Sequence, residues 1–291
     1  MKDDFDFLTH FRNSQKYLNK RLSIPSEKAE MEKFISICTT CKDRLEDLKQ
    51  TLPRNIKDAE SYKNCEFVLL DYGSSDGLPE WVRKNMMPHI LSGKLSYYRT
   101  ESKFFKPNHS RNVSFRLAKG DIIANVDSDN LIHKGYLERI NDCMSFADEQ
   151  VVAIPETFLV KGTNRLRLMG RFAVYKKDVD KLTGFDEDLD GGYGNDDVNF
   201  ILRAMMMPCH LVSYEKEFCY GRIETPIEKR FALVDTDGLK EGNRKNAHIT
   251  ARKISQGKLA PNQDWGVARV VKNFHEEIVL DAQSERDKNC H

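Results

Sequence analysis

No stretch of the chain approaches the roughly 18 apolar residues that a membrane-spanning helix needs. An excess of one charge sign is also missing: 46 Lys and Arg stand against 45 Asp and Glu, for a net charge of +1. That balance provides no bulk field for nucleic acid or for an anionic membrane. The opening, Met1-Lys2-Asp3-Asp4-Phe5-Asp6, lacks the basic and apolar regions of a secretory signal. The expectation is therefore a cytoplasmic location, in which peripheral membrane contact is permitted but not demanded by the charge pattern. The 7 cysteines are odd in number and lie mostly within apolar runs, as buried thiols do. Cys38-x-x-Cys41 has no second Cys-x-x-Cys to complete a zinc site, so the pair reads as packing residues at a strand end.

Two nucleotide-binding signatures are absent as well. There is no G-x-G-x-x-G after the first apolar run and no G-x-x-x-x-G-K-[ST], so neither a dinucleotide fingerprint nor a P-loop is present. What the chain does contain is alternation. Phe34–Cys38, Phe67–Leu70, Leu95–Tyr98 and Ile122–Val126 are short apolar runs bounded by turn residues, the pattern of buried strands. Helical spacing follows each of the first three: Leu45, Leu48 and Leu52 up to a stop at Pro53, a second stretch over 79–87, and a third carrying Arg111, Asn112, Phe115 and Leu117. Units of about thirty residues of this kind predict an α/β fold with a mostly parallel central sheet flanked by helices. Ligands in such sheets sit at the carboxyl ends of the strands, so Thr39–Arg44, Asp71–Asp76 and Asp127–Asp129 should share one rim.

Past Val151–Pro155 the pattern changes. A basic stretch, Lys161 to Arg171, precedes the apolar Phe172–Tyr175. The turn-rich Gly191-Gly192-Tyr193-Gly194-Asn195-Asp196-Asp197 leads into a helix over 198–207 ended by Pro208, and His210–Tyr214 reads as a late strand. From Thr225 to Gln263 the chain is polar with little periodicity, which suits a lid or acceptor-side segment. The resulting division is an N-terminal arm over 1–32, a main domain over 33–220, an extension over 221–280 and a tail over 281–291.

The chemistry centres on Asp127-Ser128-Asp129. Two carboxylates one residue apart at the end of a buried strand repel each other unless a cation sits between them. Hard oxygen ligands in this arrangement suit Mg²⁺ or Mn²⁺, which complete their shell with water and substrate phosphates. A solvated turn is the bland alternative for this motif taken alone.

Four motifs occur in order: Thr39-Thr40-x-x-x-Arg44, Asp71-x-Gly73-Ser74-x-Asp76-Gly77, His109-Ser110-Arg111-Asn112 ahead of Asp127-x-Asp129, and Gly192-Tyr193-Gly194-x-Asp196-Asp197. Together they resemble an inverting GT-A glycosyltransferase of family 2, with similarity to β-1,4-galactosyltransferase and chondroitin-polymerase type domains. The resemblance spans about residues 33–220 and implies the GT-A fold, a UDP-sugar donor and a saccharide or lipid-linked glycan acceptor, without nucleic acid. It also implies roles. Thr39, Arg44, Asp71, Arg111 and Asp127 would bind the nucleotide sugar, Asp71 by accepting the uracil imide N–H. Asp129 and Asp127 would hold the metal, with His248 as a third ligand and Glu224 as second choice. Asp197 would be the general base, Asp196 would bind the acceptor and Tyr193 would stack on it. Structural alternatives exist for each: a surface charge for Arg44 and Arg111, a turn for Asp71, a turn or helix cap for Asp76, dipole caps for the Asp196–Asp197 pair. Rival functions of the same fold are a non-catalytic nucleotide-sugar or glycan-binding module and a retaining transferase.

Overall fold

A computed structural model describes residues 29–282 apart from 149, 157–169, 193, 208, 220, 225, 227, 229–232 and 235–237. Most of the N-terminal arm, most of the basic stretch, Tyr193, Pro208 and nearly all of the tail therefore lie outside the described residues.

The first part of the chain runs β1 (Ile35–Cys41), α1 (Leu45–Asp58), β2 (Cys65–Asp71), α2 (Leu78–Asn85), a short α3 (Met87–Leu91), β3 (Leu95–Arg99), α4 (Pro107–Leu117) and β4 (Ile122–Val126). These strands are parallel neighbours in the order β4-β1-β2-β3. The second part adds α5 (Tyr136–Met144), β5 (Val151–Pro155), β6 (Arg171–Tyr175), α6 (Lys176–Leu182), α7 (Asp196–Met206), β7 (His210–Tyr214), α8 (Leu239–Ser255), β8 (Ala268–Lys272) and β9 (Glu276–Leu280). β6 lies antiparallel between β4 and β5, β5 pairs parallel with β7, and the β8–β9 hairpin joins the free edge of β3 antiparallel. A parallel centre thus carries mixed flanks, and among the described residues the sheet has nine strands.

Helices cover both faces because alternate strand residues point to opposite sides. On one face Ile35 and Ile37 pack with Leu48, Leu52 and Ile56 of α1, Val82 of α2 and Ile140 of α5. On the other, Cys38, Val68 and Ile123 pack with Val113 and Phe115 of α4 and Phe200 and Ile201 of α7. Cys38 and Cys41 fall on opposite faces, so they cannot form one redox or metal pair. Burial pushes the Cys38 thiol up to about 12, as expected for a packing residue.

Two helical expectations are corrected. Pro53 does not end α1, which continues to Asp58. A proline inside a helix costs about 3 kcal/mol, and here the last turn is held from outside. Ile56 is buried in the core, while buried Asn55 donates from Nδ2 to the Asn130 carbonyl at 2.9 Å and accepts from the Ile132 N–H at 3.0 Å. The polar stretch over 225–263 contains the 17-residue helix α8. Its buried face is itself polar: Asn246, Thr250 and Lys253 follow helical spacing and are almost fully covered, so no apolar stripe marks it. Among the described residues no helix is long and apolar enough to cross a membrane.

Candidate active site

The carboxyl ends of β1 and β4 meet at the mouth of a cleft of about 240 Å³. β4 delivers Asp127, Ser128 and Asp129 to it directly. Opposite them stands Gly170, just before β6. It has φ +71° and would overlap the Asp127 carboxylate if it carried a Cβ, so a glycine is required for the loop to approach this closely. The Gly170 carbonyl accepts the Asp127 N–H at 3.0 Å and the Asn125 Nδ2 at 3.0 Å, which fixes the end of the strand.

Two arginines reach the acids. Arg44, at the start of α1, donates to Asp47 through Nε and lies 3.3 Å from Asp129 through Nη2. Arg111, one turn into α4, donates to Asp196 at 2.5 Å and to Asp127 at 3.4 Å. Burial opposes charge on Arg111, but Asp127 and then Asp196 outweigh it and hold the guanidinium proton more tightly than usual. Asp197 stands apart. Its Oδ1 is buried without a hydrogen-bond partner. Burial, reinforced by the neighbouring Asp196 and opposed by Arg111, raises its carboxyl well above the ordinary carboxylate range.

The supports are acids and amides donated from elsewhere in the fold. Asp190 caps α4 from a 3-10 turn over Glu187–Gly191, accepting the Asn108 N–H at 2.8 Å and the His109 N–H at 2.9 Å. Asp76 does the same for α1, accepting the Leu45 N–H at 2.7 Å. α8 clamps the glycine-rich loop: Asn246 Nδ2 donates to the carbonyls of Leu189 and Gly194 at 3.0 and 2.8 Å. One helical turn pair further on, buried Lys253 binds Asp186 at 2.6 Å and Asp188 at 2.7 Å.

Of the residues singled out from the sequence, Arg44, Arg111, Asp127, Asp129, Asp196 and Asp197 line this one cleft. Thr39 does not. Its Oγ1 donates to the Val126 carbonyl at 2.8 Å, tying β1 to β4, and the neighbouring Thr40 lines the cleft instead because the pleat alternates. Asp71 is fully buried beneath the rim. Its oxygens accept from the Ser74 N–H, the Tyr97 hydroxyl and Arg99 Nη1, each at 2.7 Å, and it is not among the residues that line the cleft. His248 lies on the exposed side of α8, two residues from cleft-lining Asn246, and Glu224 is exposed and paired with Arg222 at 3.4 Å. Neither joins Asp127 and Asp129. Among the described residues no group of three or more His, Cys, Asp or Glu is placed to hold a metal. Two carboxylates at the cleft mouth still fit Mn²⁺ or Mg²⁺, which take the balance of their ligands from diphosphate and water. The sequence reading missed Lys42, which lines the cleft and binds the carbonyls of Gly73 and Ser102 at 2.7 and 2.8 Å. It also missed Asn246, whose signal was the helical spacing of polar residues 246, 250 and 253.

A parallel centre with an acidic pair at the end of β4 and a second pair at a helix start is the arrangement expected from the resemblance to GT-A type glycosyltransferases. Residues 36–205, more than half the chain, match the model of Glycosyl transferase family 2, and the chain belongs to that family. Solved structures agree on the fold. The mannosyltransferase PcManGT from Pyrobaculum calidifontis, in complex with GDP-Man and Mn²⁺, superposes with TM-score 0.59 at 18% identity, over 77% of this chain and 67% of that one. S. aureus TarS 1–349 in complex with UDP-GlcNAc gives 0.54 at 16% identity, over 66% and 59%. GalNAc-T7 with UDP, GalNAc and Mn²⁺ gives 0.57 at 13%, over 84% and 56%. The chain thus spans little more than half the length of the last two. Comparison with curated proteins gives no match.

Proposed function

We propose that the protein is a metal-dependent inverting transferase that moves a hexose or N-acetylhexosamine from a UDP-sugar to a hydroxyl of a glycan acceptor, free or lipid-linked. The observation that carries this reading is Asp197. Asp127, Asp129 and Asp196 each face a guanidinium, whereas Asp197 has a buried oxygen without a donor. A buried carboxyl with a raised affinity for a proton and an acceptor oxygen open to a donor is suited to general-base work. Asp197 takes the proton of the acceptor hydroxyl while that oxygen attacks the anomeric carbon, on the face opposite the departing diphosphate. Arg111 holds Asp196 in place beside it. Asp127 and Asp129 would hold Mn²⁺ or Mg²⁺, which when bound would supply Lewis-acid neutralisation of the leaving group. The choice of uracil rests on the motif resemblance, since Asp71 lies outside the cleft.

A panel of UDP- and GDP-sugars assayed with Mn²⁺ tests the donor, and NMR of the product tests the stereochemistry. A β-linked product from an α-linked UDP-sugar is expected. Asp197→Asn keeps the shape but cannot accept the proton, so transfer should fall by about 10²–10⁴-fold with nucleotide affinity nearly unchanged. An α-linked product, or transfer by the variant at close to the wild-type rate, would defeat the inverting mechanism. Nucleotide-sugar binding without any turnover would favour the binding-module reading.

A further inference from the structure

Two arginines at the cleft are each shared between two carboxylates. Asp47 and Asp129 share Arg44, Asp127 and Asp196 share Arg111, and Asp197 Oδ1 has no donor. Both arginines therefore stand where a divalent cation would otherwise act, one against each carboxylate of the Asp127–Asp129 pair. Both contacts to that pair are loose, at 3.3 and 3.4 Å, while the same guanidinium groups hold their other partners, Asp47 and Asp196, more closely. A guanidinium anchored on one carboxylate and loosely set on a second can exchange the second for a phosphate oxygen with a small rotation, because its planar fork suits phosphate as well as carboxylate.

We propose that Arg44 and Arg111 are exchangeable counter-ions, which hold Asp129 and Asp127 in the nucleotide-free protein and move onto the diphosphate when a nucleoside diphosphate binds. Metal and nucleotide then bind with positive coupling, and Arg44 sets much of its size. The inference rests on the proposed metal site and adds to it a role for this chain's own arginines. In the absence of nucleotide, a divalent cation has to displace Arg44 from Asp129. With nucleotide present, the phosphates have already drawn Arg44 away. Thermodynamic reciprocity requires the metal to tighten the nucleotide by the same factor.

The test is calorimetry of Mn²⁺ binding, with and without saturating UDP, on the wild type and on Arg44→Gln, each first checked for a cooperative melt. For the wild type, UDP should tighten Mn²⁺ binding by at least about tenfold, within the usual range of coupling. In Arg44→Gln, Mn²⁺ alone should bind about three- to fivefold tighter, the size expected for losing a partly exposed ion pair, and the tightening by UDP should shrink. A purely long-range charge effect gives a different result, raising Mn²⁺ affinity equally with and without UDP and leaving the coupling intact. That result overturns the proposal, as does unchanged or weaker Mn²⁺ binding by the variant alone. Arg44→Lys, which keeps the charge but loses the fork, should fall between the two. No Mn²⁺ binding by the wild type in either condition would instead remove the metal site, and the inference with it.

Discussion

Asp71 offers a sharp test, because its place in the motif suggests base recognition and its place in the fold does not. In Asp71→Asn one oxygen remains to accept the Ser74 N–H, but an amide NH₂ now meets the Tyr97 hydroxyl and Arg99. Both of those groups donate to a carboxylate that is fully buried. Breaking a buried ion pair by removing one partner costs about 3–5 kcal/mol. Arg99 keeps 27% of its side-chain exposure, so water compensates part of this and about 2–4 kcal/mol is the better figure. For a chain of this size that lowers the melting temperature by roughly 5–12 °C. Urea and thermal unfolding measure the loss. Calorimetry with UDP and CDP, below the variant's melting range, measures selectivity. The expected outcome is a less stable protein with the wild-type ratio of affinities. A variant of wild-type stability that no longer distinguishes UDP from CDP would refute the structural role.

Two further outcomes follow from the supports of the site. Burial raises the Asp190 carboxyl to about 6, above the ordinary value near 4, so the folded state holds this proton more tightly than the unfolded chain. Its contribution to stability is then full below about pH 4, declines as the pH rises to about 6, and is level beyond that; Asp190→Asn should remove the decline, and a wild-type-minus-variant difference that is flat across this range would contradict it. Gly170→Ala places a Cβ against the Asp127 carboxylate at a backbone angle of +71°, which should cost about 1–3 kcal/mol in strain and weaken Mn²⁺-dependent nucleotide binding. A variant with full stability and full metal response would show that the loop is free to move.

The parallel centre was legible because its strands are continuous apolar runs and its helices carry leucines at helical spacing. The acids at the end of β4 and at the start of α7 were legible because they follow those elements directly. Three features hid from the sequence for physical reasons. α8 buries Asn246, Thr250 and Lys253 rather than an apolar stripe, and its partners, Leu189, Gly194, Asp186 and Asp188, lie about sixty residues away. α1 runs through Pro53 because Asn55 is held by Asn130 and Ile132, contacts that no local propensity encodes. The choice between Thr39 and Thr40 depends on the phase of the pleat at the last residues of β1, where a one-residue error turns a cleft-facing group into a strand tie.

Asp71, Asp190, Asp196 and Asp197 look alike in sequence, each beside a turn or at the end of an element, and the fold separates them by the donors it supplies. Asp71 meets a backbone N–H, a hydroxyl and a guanidinium, and Asp190 meets two backbone N–H groups and an amide. Such carboxylates are engaged by the structure, and changing them should move stability before it moves chemistry. Asp196 and Asp197 begin the same helix, yet successive helical residues point about 100° apart. That angle turns Asp196 toward Arg111 on α4 and leaves Asp197 Oδ1 in the cleft wall with no donor. A buried acceptor without a donor costs about 1–3 kcal/mol. Proton transfer from an acceptor hydroxyl would give that oxygen the donor which the fold withholds, and this is why Asp197 rather than Asp196 is proposed as the base.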